Sequence, residues 1–112
     1  MMANTFKNYT ERNVGTTSVA VDSYTVPAGV QTTVIGMTVA NLLSSTEITV
    51  DVTLSGGGND THIIKNAPVP TGSSIVIVGG SQKLVLEEGE QVKVSSSDAA
   101  SADVILSVLE IS

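Results

Sequence analysis

The segment that most constrains the fold is a strict alternation of apolar and polar side chains over residues 46–54. The apolar positions are Ile48, Val50, Val52 and Leu54, and the polar ones between them are Glu47, Thr49, Asp51 and Thr53. A period of two indicates a β-strand with one buried face and one solvated face. The segment therefore predicts a strand of a sheet that packs on one side.

The rest of the chain favours strands as well. Val, Ile and Thr make up 38 of the 112 residues, and β-branched side chains favour strands over helices. Turn signals recur roughly every 8–12 residues, which is typical of sandwiches and barrels. Further strands are predicted at residues 18–26, 31–41, 61–66, 74–78, 83–86, 91–95 and 102–111. We expect an all-β fold, a β-sandwich or jelly-roll-like arrangement of about eight short, mostly antiparallel strands.

A chain of 112 residues is long enough for one domain with its own core. Residues 1–15 are mostly polar and predict an N-terminal arm, and residues 16–112 predict a single β-sandwich domain. The first residues contain no apolar run typical of a signal peptide. No apolar run approaches the roughly 20 residues of a membrane helix, so we expect no membrane partner.

Charge and aromatic content argue against two classes of ligand. The chain has 5 basic and 11 acidic residues, a net charge of −6, whereas phosphate backbones are bound by clustered Lys and Arg. We therefore expect no nucleic-acid partner. The aromatic residues are Phe6, Tyr9 and Tyr24, which is little surface for stacking on bases or sugars.

The sequence favours a protein that is not an enzyme, with no catalytic, cofactor-binding or metal-binding residues. His62 is the one histidine, and there is no cysteine to form a thiolate site. A Ser-His-Asp arrangement stays open because serines and aspartates are frequent, but no Gly-x-Ser-x-Gly elbow is present. A strand or surface histidine is the preferred interpretation of His62.

Three polar or glycine-rich segments also have plain structural interpretations. Glu87, Glu88 and Glu90 surround Gly89 in a turn that does not match a calcium loop. Asp98 and Asp103 flank a loop of small residues. The three glycines at 56–58 precede no Lys-Ser/Thr pair, so they indicate a hairpin loop and not a phosphate loop.

Two features suggest contacts with other protein chains. Residues 74–78 and 102–111 are apolar on both faces, whereas a strand of a two-layer sandwich normally keeps one wet face. The polar arm also carries aromatic residues and an arginine, which are common interface anchors. Ordinary edge packing and a frayed terminus are the competing interpretations. The interface candidates are Phe6, Tyr9, Arg12, Ile75, Ile77, Ile105, Leu109 and Ile111.

The C-terminal half resembles small structural proteins of tailed bacteriophages. Residues 83–97 read KLVLEEGEQVKVSSS, and residues 102–111 read ADVILSVLEI. This layout of strand, acidic glycine turn, serine-ended strand, small-residue loop and final Leu-Glu-Ile strand is similar to that group. Upstream, YTVPAG at 24–29, TVIG at 33–36 and VAN at 39–41 are similar to it too. The resemblance covers roughly residues 20–112, and the arm lies outside the shared pattern.

The resemblance implies a β-sandwich subunit of a virion assembled in the host cytoplasm, with no cofactor. The expected function is that of a capsid decoration (cement) protein that binds the major capsid protein or other virion proteins. A homo-oligomer is expected, with a trimer favoured. The alternative is a neck, tail or baseplate component, and a carbohydrate-binding adhesion module ranks lower.

Overall fold

The computed structural model describes residues 4–79 and 83–112, and this part of the chain contains nine β-strands. The strands are β1 (Asn4–Val14), β2 (Val19–Ala20), β3 (Gln31–Asn41), β4 (Ile48–Gly56), β5 (Asn59–Val69), β6 (Ser74–Val78), β7 (Leu84–Leu86), β8 (Gln91–Ser96) and β9 (Ala102–Ile111). A single 3-10 turn, Val21–Ser23, follows β2. The expected all-β fold is confirmed.

The strands form two antiparallel sheets. One sheet has the order β1-β9-β3-β6, with the short β7 pairing to β3 beside β6, and the other has the order β2-β8-β4-β5. Apart from β7, this is the strand order of a jelly roll, in which the chain crosses repeatedly between two sheets. The first strand and the last strand are neighbours, and β9 lies between β1 and β3.

The core lies between the two sheets and consists almost entirely of aliphatic side chains. Met37 and Leu106 contribute from the five-stranded sheet, and Ile48 and Val52 contribute from the four-stranded sheet. The alternation over residues 46–54 appears as predicted, because Ile48, Val50 and Val52 are fully buried on one side of β4. Burial of this aliphatic surface is the main favourable contribution to folding.

Residues 4–14 form a strand and not the predicted arm. β1 pairs with β9 from Asn4 opposite Ile111 to Glu11 opposite Val104, and a bulge then shifts the register before Val14. The sequence hides this strand because its inward positions before Tyr9 are polar, so no apolar alternation marks it. Residues 1–3 lie outside the described part of the chain.

The predicted strand over residues 18–26 is wrong. Only Val19–Ala20 pairs with β8, and the chain then turns at Asp22 and Ser23, both with a φ of 53°. The Asp22 backbone N–H donates a 2.8 Å hydrogen bond to the Glu11 carboxylate, which supports this turn. Val21, Tyr24 and Val26 are nevertheless buried, so apolar residues at these positions mark a chain that crosses between sheets.

The remaining strands agree closely with the sequence. β3, β6 and β9 have the predicted bounds, and β4, β5, β7 and β8 differ by a few residues at their ends. The glycines at 57 and 58 adopt φ values of 61° and 82° in the β4–β5 hairpin, a conformation that favours glycine. The sequence also predicts that Gly79 and Gly80 end β6; Gly79 follows the strand, and Gly80 lies outside the described residues.

Candidate functional site

Among the described residues, the most exposed large apolar side chains lie on the solvent-facing side of the five-stranded sheet. We call it the apolar face and define it by Phe6, Val76, Val85, Ile105, Leu109 and Ile111. The antiparallel register sets these residues in rows across the sheet. One row runs from Phe6 through Leu109 and Thr33 to Val85, and another runs from Thr10 through Ile105 and Thr38 to Val76.

Exposure distinguishes this face from an ordinary sheet surface. Phe6 is 73% exposed, Val76 69%, Ile105 52% and Val85 48%. Among the described residues, one further large apolar side chain is comparably exposed, Leu42, which directly follows β3. Scattered exposed apolar residues are normal. Here they occupy two rows of one face, with the row of Asn8, Ser107 and Gly36 between them, and several exposed apolar side chains on one face are typical of a contact surface.

The outer side of the four-stranded sheet is polar by contrast. Lys93, Thr53 and His62 lie in one row across β8, β4 and β5, and Ser95 lies opposite Asp51 in the next. The two outer surfaces of the sandwich therefore differ in chemistry. Water solvates the polar side chains of the four-stranded sheet well and the side chains of the apolar face poorly. The apolar face is therefore the side suited to contact another protein.

A polar network at the inner side of β1 holds the apolar face in place. The Tyr24 hydroxyl donates a 2.6 Å hydrogen bond to Oε2 of Glu110, and the Tyr9 hydroxyl donates a longer bond of 3.3 Å to the same oxygen. Lys7 Nζ lies 3.3 Å from Oε1 of Glu110. Since Tyr24 donates to Glu110, the buried Thr32 hydroxyl donates the 2.7 Å bond between Thr32 and Tyr24.

Aromatic stacking adds to this polar network. The rings of Tyr9 and Tyr24 lie 4.1 Å apart and 20° from parallel. The hydrogen bond from Tyr24, assisted by Lys7, lowers the pKa of the Glu110 carboxyl below its ordinary value. Burial, together with the neighbouring Glu110, raises the pKa values of both tyrosines. The carboxylate and both phenols thus keep their ordinary protonation states near neutral pH.

The predicted interface residues divide between the two sides of the sheet. Phe6, Ile105, Leu109 and Ile111 belong to the apolar face. Arg12 is exposed and lies at the bulge of β1, where it borders a shallow depression next to Ile105.

The other three predicted residues turn inward. Tyr9 stacks on Tyr24, and Ile75 lies opposite the buried Val39, so both pack against the core. Ile77 is the extra residue of a bulge in β6 and also packs against the core.

Sequence reasoning missed Val76 and Val85, which face outward. Residues 75–78 are all β-branched, so alternation cannot tell which of them face the core. The bulge shifts the register between Met37 and Thr38, and therefore Val76 points outward while Val78 points inward. The one available signal for Val85 was its position between Leu84 and Leu86 in a three-residue strand.

His62 is exposed on the edge strand β5, beside a shallow depression lined by Ser18, Asp51, Asp60 and Ser95. In the described residues no hydrogen bond joins His62 to a serine or an aspartate. Residues 4–79 and 83–112 contain no group of three or more His, Cys, Asp or Glu side chains that could hold a metal ion. No helix within these ranges is long and apolar enough to span a membrane.

The acidic side chains of the turn before β8 have structural partners. Glu88 accepts a 2.9 Å hydrogen bond from the backbone N–H of Gly29, and Glu90 accepts one of 2.7 Å from the backbone N–H of Glu87. The bond to Glu88 joins the turn at residues 27–29 to the turn at residues 87–90, and the bond to Glu90 closes the second turn on itself. Both carboxylates therefore have a local structural role.

The chain matches no protein-family model and no curated protein. Its fold is similar to solved structures of low sequence identity. A chain of the acidic stable capsid of Helicobacter pylori bacteriophage KHP30 matches with a TM-score of 0.53 and 11% identity, over 100% of this chain and 94% of that one. Likeness at this level of identity shows a shared fold.

Two further structures match with lower scores. A pilus chain of Bacillus endospore appendages gives a TM-score of 0.45 at 14% identity, over 98% of this chain and 85% of that one. VP2 of the infectious bursal disease virus subviral particle gives 0.46 at 12% identity, over 96% of this chain and 36% of that one. The strand order is that of a jelly-roll β-sandwich, and the bacteriophage capsid chain has a similar fold.

Proposed function

We propose that this chain is a structural protein of a virion, and specifically a capsid decoration protein that binds major capsid subunits through its apolar face. The observation that carries the proposal is the grouping of Phe6, Val76, Val85 and Ile105 on one outer surface, opposite a polar one. Binding would remove these side chains from water, which is the main driving force of most protein association.

The fold supports the proposal without deciding it. Jelly rolls occur in capsid proteins and also in lectins, and a fold does not by itself set a function. The similar fold of a bacteriophage capsid chain is consistent with a virion role. Against a carbohydrate site, Tyr9 and Tyr24 are occupied with each other, which leaves Phe6 as the exposed aromatic among the described residues.

The direct test is binding to capsids purified from particles whose gene for this chain has been deleted. The wild-type protein should sediment with these capsids. The triple variant Val76→Thr, Val85→Thr and Ile105→Thr keeps the β-branched shape but replaces an apolar group with a hydroxyl at each position. We expect binding to weaken about tenfold or more, because about 1.4 kcal/mol corresponds to a factor of ten.

The matched control changes the other side of the sandwich. His62→Thr with Lys65→Thr alters two exposed residues of β5 and should leave binding unchanged. Equal binding of the triple variant and the wild type would contradict a contact through the apolar face. Wild-type protein that does not sediment with the capsids would contradict capsid binding itself.

Copy number separates the capsid from the alternative location in the neck, tail or baseplate. Quantitative mass spectrometry of particles from the genome that encodes this chain should give hundreds of copies for a capsid decoration protein and tens for a tail component. Density for the chain only in the tail, seen by cryo-electron microscopy, would contradict the capsid location and would mean that the apolar face contacts a tail protein instead. The proposal includes a homo-oligomer, and the resemblance favours a trimer.

A further inference from the structure

The two long edge strands of the sandwich differ in their capacity to pair. β5 is interrupted by Pro68, by a left-handed Asn66 with a φ of 53°, and by register shifts against β4. Such features protect an edge against pairing with another chain. β1 also has a bulge after Glu11 and a left-handed Asn13 with a φ of 56°, but it is regular from Asn4 to Glu11. Among the described residues β1 pairs with β9 alone, so the second edge of its regular part has no strand partner there.

Two of the three charged residues of β1, Lys7 and Glu11, lie symmetrically about its centre, and the third is Arg12. Tyr9 is the middle residue of Asn4–Val14. Lys7 and Glu11 lie two places to either side of Tyr9 and share its inward side of the sheet. Both side chains remain partly accessible, since Lys7 is 50% exposed and Glu11 is half-buried. Charges on an edge strand normally discourage pairing, but this arrangement is complementary to itself.

We propose that β1 pairs antiparallel with β1 of a second copy, about a two-fold axis at Tyr9. In that register Lys7 lies opposite Glu11 of the second copy, and Glu11 lies opposite its Lys7. Directly opposed residues in antiparallel strands have Cβ atoms about 4.5–5.5 Å apart, within reach of an ion pair.

The neighbouring registers are less favourable. Centring the pair on Lys7 or on Glu11 sets like charges opposite each other, which is destabilising. Centring it on Asn8 or on Thr10 leaves each charge opposite an uncharged residue. Charge complementarity thus selects the register about Tyr9.

The contact joins two sheets edge to edge with their apolar faces on the same side. Phe6 and Thr10 of β1 both belong to the outer side of the sheet, so the two apolar faces lie on the same side of the joined sheet. The contact is isologous and closes at two copies. It is distinct from the trimer favoured by the resemblance, and it does not depend on which partner the apolar face binds.

The test exploits the symmetry of the charges. Lys7→Glu sets glutamates opposite glutamates in its own dimer, and Glu11→Lys sets lysines opposite lysines. We expect each variant alone to dimerise about tenfold more weakly than the wild type in sedimentation velocity over a concentration series.

A mixture of the two variants should restore the contact. The Lys7→Glu chain carries glutamate at positions 7 and 11, and the Glu11→Lys chain carries lysine at both. In the heterodimer position 7 of each chain therefore lies opposite position 11 of the other as a glutamate–lysine pair, so the heterodimer should form with near wild-type strength.

Controls separate this effect from loss of structure. Lys7→Glu also removes the contact with Glu110, and Glu11→Lys removes the acceptor of the Asp22 N–H, so thermal melting of each variant is measured alongside. Lys65→Glu makes the same charge change on the other edge strand and should leave dimerisation unchanged. Recovery in the mixture cannot come from misfolded protein.

Two results would overturn the inference. The first is a wild-type protein that stays monomeric throughout the concentration series. The second is a mixture of Lys7→Glu and Glu11→Lys that contains no more dimer than either variant alone. Neither result bears on capsid binding through the apolar face, which is measured with deletion capsids.

Discussion

Glu110 is the residue on which distant parts of the chain converge. Its carboxylate accepts hydrogen bonds from Tyr9 and Tyr24 and contacts Lys7, although all three lie at least 86 positions away. The side chain of Glu110 is only 13% exposed, so its charge depends on these partners. The network ties β1 and the segment before β3 to β9.

The two tyrosine hydroxyls should differ in importance. Tyr24→Phe removes the 2.6 Å bond to Glu110 and leaves the buried Thr32 hydroxyl without its acceptor. We expect the free energy of unfolding to fall by about 1–3 kcal/mol. Tyr9→Phe removes only the 3.3 Å bond of a half-buried side chain and should cost less, about 0.5 kcal/mol. Urea denaturation of both variants at pH 7 measures the difference, and equal losses would contradict this ranking.

The lowered pKa of Glu110 makes part of the stability dependent on pH. A carboxyl whose pKa is lower in the folded state than in the unfolded state stabilises the fold fully above its unfolded pKa. That contribution disappears as pH falls through the folded pKa.

Glu110→Gln should therefore be less stable than the wild type at pH 7, by about 1 kcal/mol, and the gap should narrow as the pH falls below about 4. Urea denaturation at a series of pH values would reveal this convergence. A gap of constant size across the series would show that the charge of Glu110 does not contribute.

At the scale of the element, β9 shows how one strand serves two surfaces. Val104, Leu106 and Val108 are buried, and Ile105 and Leu109, their neighbours along the strand, belong to the apolar face. The strand is apolar on both sides because its inner side belongs to the core and its outer side belongs to the proposed contact. Because β9 lies between β1 and β3, its inner side chains pack in the core and its outer side chains lie within the apolar face.

Neighbouring residues of β9 should thus respond very differently to truncation. Leu106→Ala leaves a cavity in the core and should cost about 2–5 kcal/mol of unfolding free energy. Ile105→Ala removes an exposed side chain and should cost less than about 1 kcal/mol. Thermal or urea unfolding of the two variants decides this, and comparable losses would mean that Ile105 is buried in the protein in solution.

The strands that the sequence predicted well are those whose own side chains mark them. β3, β4 and β9 carry apolar residues at buried positions. β1 escaped prediction because backbone pairing with β9 holds it, while Thr5, Lys7 and Glu11 occupy its inward side.

The candidate site was only partly predictable for a similar reason. The outward direction of Val76 depends on a bulge, and a bulge is visible only once both strands are in place.

At the scale of the whole molecule, the sandwich has one polar and one apolar outer surface and a net charge of −6. Like charge opposes the association of copies at neutral pH. As the pH falls the net negative charge decreases, and that repulsion weakens while the apolar attraction remains. Self-association should therefore increase as the net charge falls with pH. It should decrease when apolar side chains of the apolar face are replaced by polar ones.

Static light scattering between pH 7 and pH 4 tests this dependence. The wild type should show a rise in apparent mass toward pH 4, and the Val76→Thr, Val85→Thr and Ile105→Thr variant should show a smaller rise. The His62→Thr and Lys65→Thr variant serves as the control and should behave almost as the wild type does. If the apparent mass of the triple variant rose as much as that of the wild type, association at low pH would involve a surface other than the apolar face.

The position of β9 between β1 and β3 also determines when the protein can fold during its synthesis. The ribosome releases β1 and β3 early, yet the strand that separates them extends to Ile111. Until that residue has left the exit tunnel, the five-stranded sheet lacks a central member and its apolar strands have no lasting partner. Pairings between such distant segments form slowly, so the five-stranded sheet is completed only after β9 has emerged.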